Sequence, residues 1–268
     1  MEKNDKMRKI VFMLLTALTP CLVTAQNNQL EVEIQADIVS KSLWRGQDLG
    51  GVSLQPKADI SWNGIYLNAT GSTGFDASTS EYIDVYVGYR APFGVNISAG
   101  SHWMKGLDQL DRYFYFKSTE TGHRFEVNLG YTNKYFSLQA YTTVTGNDFK
   151  PDTNKRAYST YVELNVPFRI GGFDWLATAG FTPMESSGWY EPYENPHSFS
   201  KEIYQYYYAD GFSCVQAALR VTKNLSINDF GIPVFVELNT NPFSKKAAFV
   251  AGFSLKPFQK SCCKKNNK

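Results

Sequence analysis

After its first 25 residues the chain has no apolar run of the roughly 18 residues that a spanning helix requires. That absence excludes a helical membrane protein and leaves a membrane β-barrel open, because barrel strands carry a much weaker hydropathy signal. Cysteine is scarce. Cys21 falls in the N-terminal apolar segment, Cys214 stands alone, and a bridge between the neighbours Cys262 and Cys263 would be strained. No disulfide framework follows. With three histidines and no spaced cysteines, a dedicated metal site is not expected. Net charge is lacking too. The whole chain carries +2, and the first 25 residues, with Lys3, Lys6, Arg8 and Lys9 against Glu2 and Asp5, account for all of it. The remainder is near neutral and has no basic footprint for nucleic acid. No Gly-rich phosphate loop follows a strand, so no nucleotide or other cofactor is expected.

What is present begins with an export signal. Four basic residues precede the apolar stretch Ile10–Leu18, which resumes through Leu22 and Val23, and Val23-Thr24-Ala25 fits a signal-peptidase site. Residues 1–25 read as a cleaved signal peptide and 26–258 as one large all-β domain. Residues 259–268 read as a polar Lys-rich tail. Pro20-Cys21 is a poor lipoprotein site, because the residue before that Cys should be small and flexible.

Period-two alternation then recurs along the chain. In SLQPKADISW, Leu54, Pro56, Ala58, Ile60 and Trp62 fall on one side and Ser53, Gln55, Lys57, Asp59 and Ser61 on the other. EYIDVYVGYR and HRFEVNLGYT behave alike. Segments near 30–44, 53–62, 65–75, 81–90, 94–104, 123–132, 135–145, 157–168, 173–183, 212–222, 231–240 and 247–258 make twelve candidate strands. Their length suits the roughly 9–11 residues of a tilted membrane strand better than the usual five or six of a sandwich. Short connections (Asn63-Gly64, Ala91–Gly94, Asn133-Lys134, Arg169–Gly172) alternate with longer ones (105–121, 146–156, 184–211), as periplasmic turns and external loops do. Aromatic residues, 15% of the chain, gather at strand ends. The pattern predicts an antiparallel up-and-down transmembrane β-barrel of about twelve strands.

Near the start, VSKSLWRGQDL precedes SLQPKADISWNGIYLNATGSTGFD, and the last strand is FVAGFSLKPF. Through Trp44, Arg45, Gly46, Gln55, Gly64 and Tyr66 the first stretch resembles the N-terminal signature of the TorF-type outer-membrane porins; the last strand is similar as well. The resemblance covers about 40 residues plus the final strand, and the ten residues after Phe258 depart from the usual barrel ending. It implies a porin-like barrel in the cell outer membrane, inserted by the barrel-assembly machinery, with no defined substrate and no catalytic residues.

With apolar sets toward lipid, the opposite sets line a lumen. Glu33 and Asp37 lie on the first strand, Lys57 and Asp59 on the second, Asp84 and Arg90 on the fourth. Arg124, Glu126 and Glu163 follow, and Arg220, Glu237 and Lys256 complete the inward set. Continuing the parity of strand 1 places Trp44 on the lipid side at the outer interface. Arg45 then faces the pore mouth, paired with Asp48 or another rim acid. The aromatic loop 184–211, with Trp189, Tyr190, Tyr193, Tyr204 and Tyr206, reads as an external surface for sugars or partners, or as an extension of the next strand. Enzyme activity is not expected: nucleophilic chemistry needs a base within reach of a hydroxyl, and no His-x-Ser pair shares a strand face. The function that follows is passive diffusion of small polar solutes through an outer-membrane channel. The alternatives are a closed-lumen barrel whose external loop binds glycans or proteins, and a soluble secreted β-sandwich lectin.

Overall fold

A computed structural model describes residues 30–105, 111–117, 120–150, 153, 155–193, 201–227 and 230–261. The predicted signal peptide 1–25 and residues 262–268 of the tail lie outside these.

Twelve strands close into one antiparallel barrel. They are β1 (Leu30–Val39), β4 (Ser53–Trp62), β5 (Ile65–Gly74), β6 (Tyr82–Arg90), β7 (Val95–Met104) and β8 (His123–Thr132). The circle continues through β9 (Ser137–Gly146), β10 (Thr160–Ile170), β11 (Phe173–Thr182), β14 (Ser213–Ile227), β15 (Phe230–Asn241) and β16 (Lys246–Ser261). The seam is the β1–β16 pair, running from Glu31↔Ser261 to Val39↔Gly252 with a bulge at Ile34/Ala36. Two hairpins are added to the wall: β2 (Ser42–Trp44) with β3 (Gln47–Gly50), and β12 (Gly188–Tyr193) with β13 (Lys201–Tyr206).

All twelve predicted strands are found, and a two-sheet sandwich is excluded by the closed strand order. Several boundaries differ, and the strand expected at 212–222 runs on to Ile227. The first strand stops at Val39 instead of Trp44, and the last runs past Phe258 to Ser261, pairing Gln259 with Glu33. The run IYQYYY does not extend β14; Ile203 to Tyr206 pair back onto β12.

The alternation has the physical cause expected of it. Successive side chains on a strand face opposite ways, so each strand has a polar lumenal face and an apolar outer one. Leu67, Val87, Ile97, Leu129, Leu238 and Phe249 all remain more than 40% exposed on the outside. A water-soluble protein rarely shows so wide an apolar surface; it is the belt a barrel presents to lipid. Trp62, Phe93, Tyr131, Tyr135 and Phe168 are exposed at the short-turn end and form the predicted inner girdle. The outer girdle is thinner. Phe75 and Tyr158 are exposed, but Trp103 is buried beneath Tyr113 of the β7–β8 loop, with ring centroids 5.5 Å apart. Leu129→Arg, a charge placed in the belt, is expected to destabilise the barrel by about 2–4 kcal/mol if mid-membrane. Denaturant titration of refolded protein, read by heat-modifiable mobility, measures this.

The buried core lies inside the barrel, toward the long-loop end. Trp44 and Leu49 of the first hairpin pack there with Tyr82, Met104, Tyr161, Val215 and the segment Tyr207–Ala209. A smaller cluster joins Val39, Phe235 and Val250, with Leu43 against it.

Candidate functional site: the plugged lumen

The chain leaves β1 at Ser40 and, instead of passing out of the mouth, turns inward as the β2–β3 hairpin. Its tip is Arg45-Gly46, with φ +48 and +77. Two successive positive φ values define the tight turn that matches strand twist. Gly46 is required twice over. Its φ favours glycine, and a Cβ there would drive into the Val215 carbonyl of β14. The base is pinned as well: Ser42 N–H donates to Gly51 O at 2.9 Å, Gly51 N–H to Thr79 Oγ1 at 2.8 Å, and Ser80 N–H to Leu49 O at 2.7 Å. In that β5–β6 loop, Asp76 accepts bonds from Ser78 and Thr79 that hold its carboxyl below the usual carboxylate value.

The hairpin crosses the lumen. In the closed strand order β9 stands opposite β1, and the Arg45 guanidinium lies 4.3 Å from the Tyr141 ring of β9 and 5.2 Å from Tyr161 of β10. It forms a bidentate pair with Glu126 of β8 at 2.8 and 2.7 Å and donates to Tyr208 Oη at 2.7 Å. Tyr86 donates to the same carboxylate at 2.6 Å. Arg45 is 9% and Glu126 1% exposed. A buried pair holds when its geometry is good and its remaining lone pairs are satisfied, and both conditions are met. Asn241 Nδ2 of β15 donates to Gly46 O, and Gln47 Nε2 donates to Tyr207 O.

Trp44 does not face lipid. It is buried in the lumen, stacked on His102 with centroids 4.1 Å apart, and its indole N–H reaches Asp84 at 3.4 Å. The strand breaks at Ser40-Lys41, so the parity carried from Ile34 does not extend to residue 44. Arg45 is lumenal as expected, but its partner is Glu126; Asp48 pairs with Lys41 at 2.9 Å.

The predicted inward charges do face inward, and most are paired across strands. Asp37 meets Lys57 at 2.6 Å, Asp59 meets Arg90 at 2.8 Å, Glu33 meets Lys256 at 3.3 Å, and Glu237 meets Arg220 at 2.6 Å. Asp84 accepts from His102 Nδ1, and Glu163 accepts from Tyr161 at 3.0 Å and Asn165 at 2.5 Å. Arg124 is buried against the face of Tyr207 at 3.6 Å. Between the pairs two polar spaces remain, about 340 and 280 Å³, and both are lined by Arg45 and Glu163. The larger extends toward the short-turn end past Tyr66, Arg90 and Asn96.

The second closing element comes from the long loop. Ser186 Oγ accepts from the N–H groups of Tyr208 and Ala209, at 2.8 and 3.1 Å, and turns Tyr207–Ala209 into the mouth. Tyr207 and Tyr208, expected with the rest of the aromatic loop on the outside, are therefore lumenal. Trp189, Tyr190, Tyr193 and Tyr204 lie on the β12–β13 hairpin by backbone, and their side chains are outside the described residues; Tyr206 is half-buried.

On the outer wall, Ser101 Oγ lies 2.6 Å from His123 Nδ1, and His123 Nε2 donates to the Tyr113 carbonyl. That second bond leaves Nδ1 of the neutral ring to accept from the hydroxyl. The contact joins neighbouring strands, which a search along one strand misses. It satisfies two polar groups on a wall where lipid offers none.

No family model and no curated protein matches the chain. Solved structures share part of its path, among them the following three. A chain from work on in-meso crystallization of membrane proteins aligns over 87% of this chain and 86% of its own, at 9% identity and a TM-score of 0.43. A bacterial polysaccharide outer membrane secretin aligns over 85% and 98%, at 10% identity and 0.39. The β-domain of the Bordetella autotransporter BrkA aligns over 86% and 99%, at 8% identity and 0.25. None of these likenesses bears on function, and the barrel stands on its own strand pairing.

Proposed function

We propose that this is an outer-membrane, porin-like barrel of the TorF-type resemblance, and that small polar solutes pass its lumen when the β2–β3 hairpin withdraws. One observation carries the reading: the two polar lumenal spaces meet at Arg45, the tip of a hairpin that runs between β1 and β4 and is no strand of the closed wall. Removing that tip would join them, while the wall keeps its own hydrogen bonds. Transport would be passive and non-catalytic. It needs no cofactor or metal, and the partners are lipid, the assembly machinery and the solute; nucleic acid has no place in it. Residues 1–25 would direct export.

The test is single-channel conductance in planar bilayers, comparing the natural chain with a variant in which residues 41–51 are replaced by a short Gly-Ser connection. The expected result is rare, brief openings for the natural chain and sustained stepwise conductance for the variant. If the folded variant never conducts, the porin reading fails. The closed-barrel reading, favoured by the aromatic cluster that seals the mouth, then replaces it, with the β12–β13 hairpin as the surface for glycans or proteins.

A further inference from the structure

The strand register gathers unused hydrogen-bonding atoms at one place beside the plug. His102 on β7 and Arg124 on β8 are directly paired across the strands. Such partners hold their Cβ atoms about 5 Å apart, and both side chains are inward and nearly inaccessible, at 0% and 3%. Thr143 on β9 stands opposite Glu126, and the Tyr207 ring covers the Arg124 guanidinium at 3.6 Å. His102 Nε2, Arg124 Nε and Nη1, Thr143 Oγ1 and Tyr207 Oη are all buried without a hydrogen-bond partner.

The nearest carboxylates are already engaged. Glu126 takes both terminal nitrogens of Arg45 and the Tyr86 hydroxyl, while Asp84 takes His102 Nδ1 and the Trp44 indole. Among the described residues no ion pair reaches Arg124. A buried charge is costly unless it is paired and hydrogen-bonded, and a cluster of orphaned buried polar groups marks a missing water or ion. Here the orphans are two nitrogens of one guanidinium, two hydroxyls and one imidazole nitrogen. Trp44 stacks on His102 and Tyr207 covers Arg124, so rings close two sides of the cluster and only a small group would fit against it.

We propose that this cluster binds a small anion, a halide ion or the carboxylate group of a solute. Arg124 is the charged donor, and the Thr143 and Tyr207 hydroxyls are the neutral ones. The site needs the folded plug and does not depend on whether the lumen conducts.

The test uses the full-length barrel refolded in detergent. Its thermal midpoint is followed as sodium bromide, or separately sodium acetate, rises from about 1 to about 100 mM, with ionic strength held by sodium methanesulfonate. A ligand bound only by the folded state raises the midpoint, by roughly 5 °C over that range. Arg124→Gln should abolish the rise, and Thr143→Val should shift it to about tenfold higher concentration. Thr143→Val carries the test if Arg124→Gln does not fold. Crystals soaked in bromide should show an anomalous peak against Arg124. A response to bromide alone assigns a halide, and a response to acetate alone assigns a carboxylate-bearing solute. No response with no bromide peak, or the same rise in both variants, means that waters fill the cluster and overturns the proposal.

Discussion

Arg45→Ala is expected to destabilise the folded protein by about 3–5 kcal/mol, the cost of leaving one member of a buried ion pair uncompensated. Glu126 would keep only its bond from Tyr86, with its charge at 1% exposure. The rings of Trp44, Tyr141 and Tyr161 would also lose the cation that lies 4.4, 4.3 and 5.2 Å from their centroids. Denaturant titration of the refolded barrel measures the loss. Arg45→Lys keeps the charge but not the planar fork that meets both carboxylate oxygens, so it should fall between. The double variant Arg45→Met with Glu126→Gln should recover most of the stability, because the penalty lies in the unpaired carboxylate. A loss below about 1 kcal/mol for Arg45→Ala would show that the carboxylate escapes to water, and that the plug is not closed around it.

Gly46→Val is expected to displace the hairpin tip and leave the wall intact. Valine at φ +77 costs about 1–3 kcal/mol of backbone strain, and its Cβ would collide with the Val215 carbonyl. The tip must back away from β14, breaking the Asn241 bond to Gly46 O. Arg45 and Glu126 are chemically unchanged, so this variant separates the position of the plug from its charge. Stepwise conductance should become frequent, with the heat-modifiable mobility of a folded barrel preserved. Gly211→Ala is the control, since a Cβ there meets nothing within 4 Å. A silent, folded Gly46→Val barrel would mean that the hairpin is not the barrier to flow.

The wall was legible because its rule is local. Period-two alternation needs only a few consecutive residues, and both solvents, lipid outside and a polar lumen inside, enforce it on every strand. Asp37, Lys57, Asp59, Arg90 and Glu237 were placed on the correct face for that reason, but their pairing was not. Register sets Asp37 opposite Gln55 and brings Lys57 to it diagonally across the β1–β4 pair, and nothing in either strand names that partner. The plug was illegible for a different reason. A parity argument survives only while the strand does, and Ser40-Lys41 carries no proline or glycine to mark the break. The turn that follows puts an arginine, instead of the usual asparagine or aspartate, at positive φ. Tyr207 and Tyr208 belong to a run aromatic on both faces, so alternation gave no direction there, and Ser186, some 20 residues away, decides it.

The place of the hairpin in the chain has a consequence for the order of assembly. The element that fills the middle of the barrel lies between the first two wall strands, and its tip docks on β8, β9, β10, β14 and β15. Those strands are made later and must curl around it. The seam between β1 and β16 is the last pair to meet in sequence, so the interior is most directly packed before the circle is joined. A hairpin left outside at that moment would have to enter through the mouth of a finished wall. Burial of the aromatic cluster is therefore tied to the time at which the seam closes, while the ring of twelve strands can close without it.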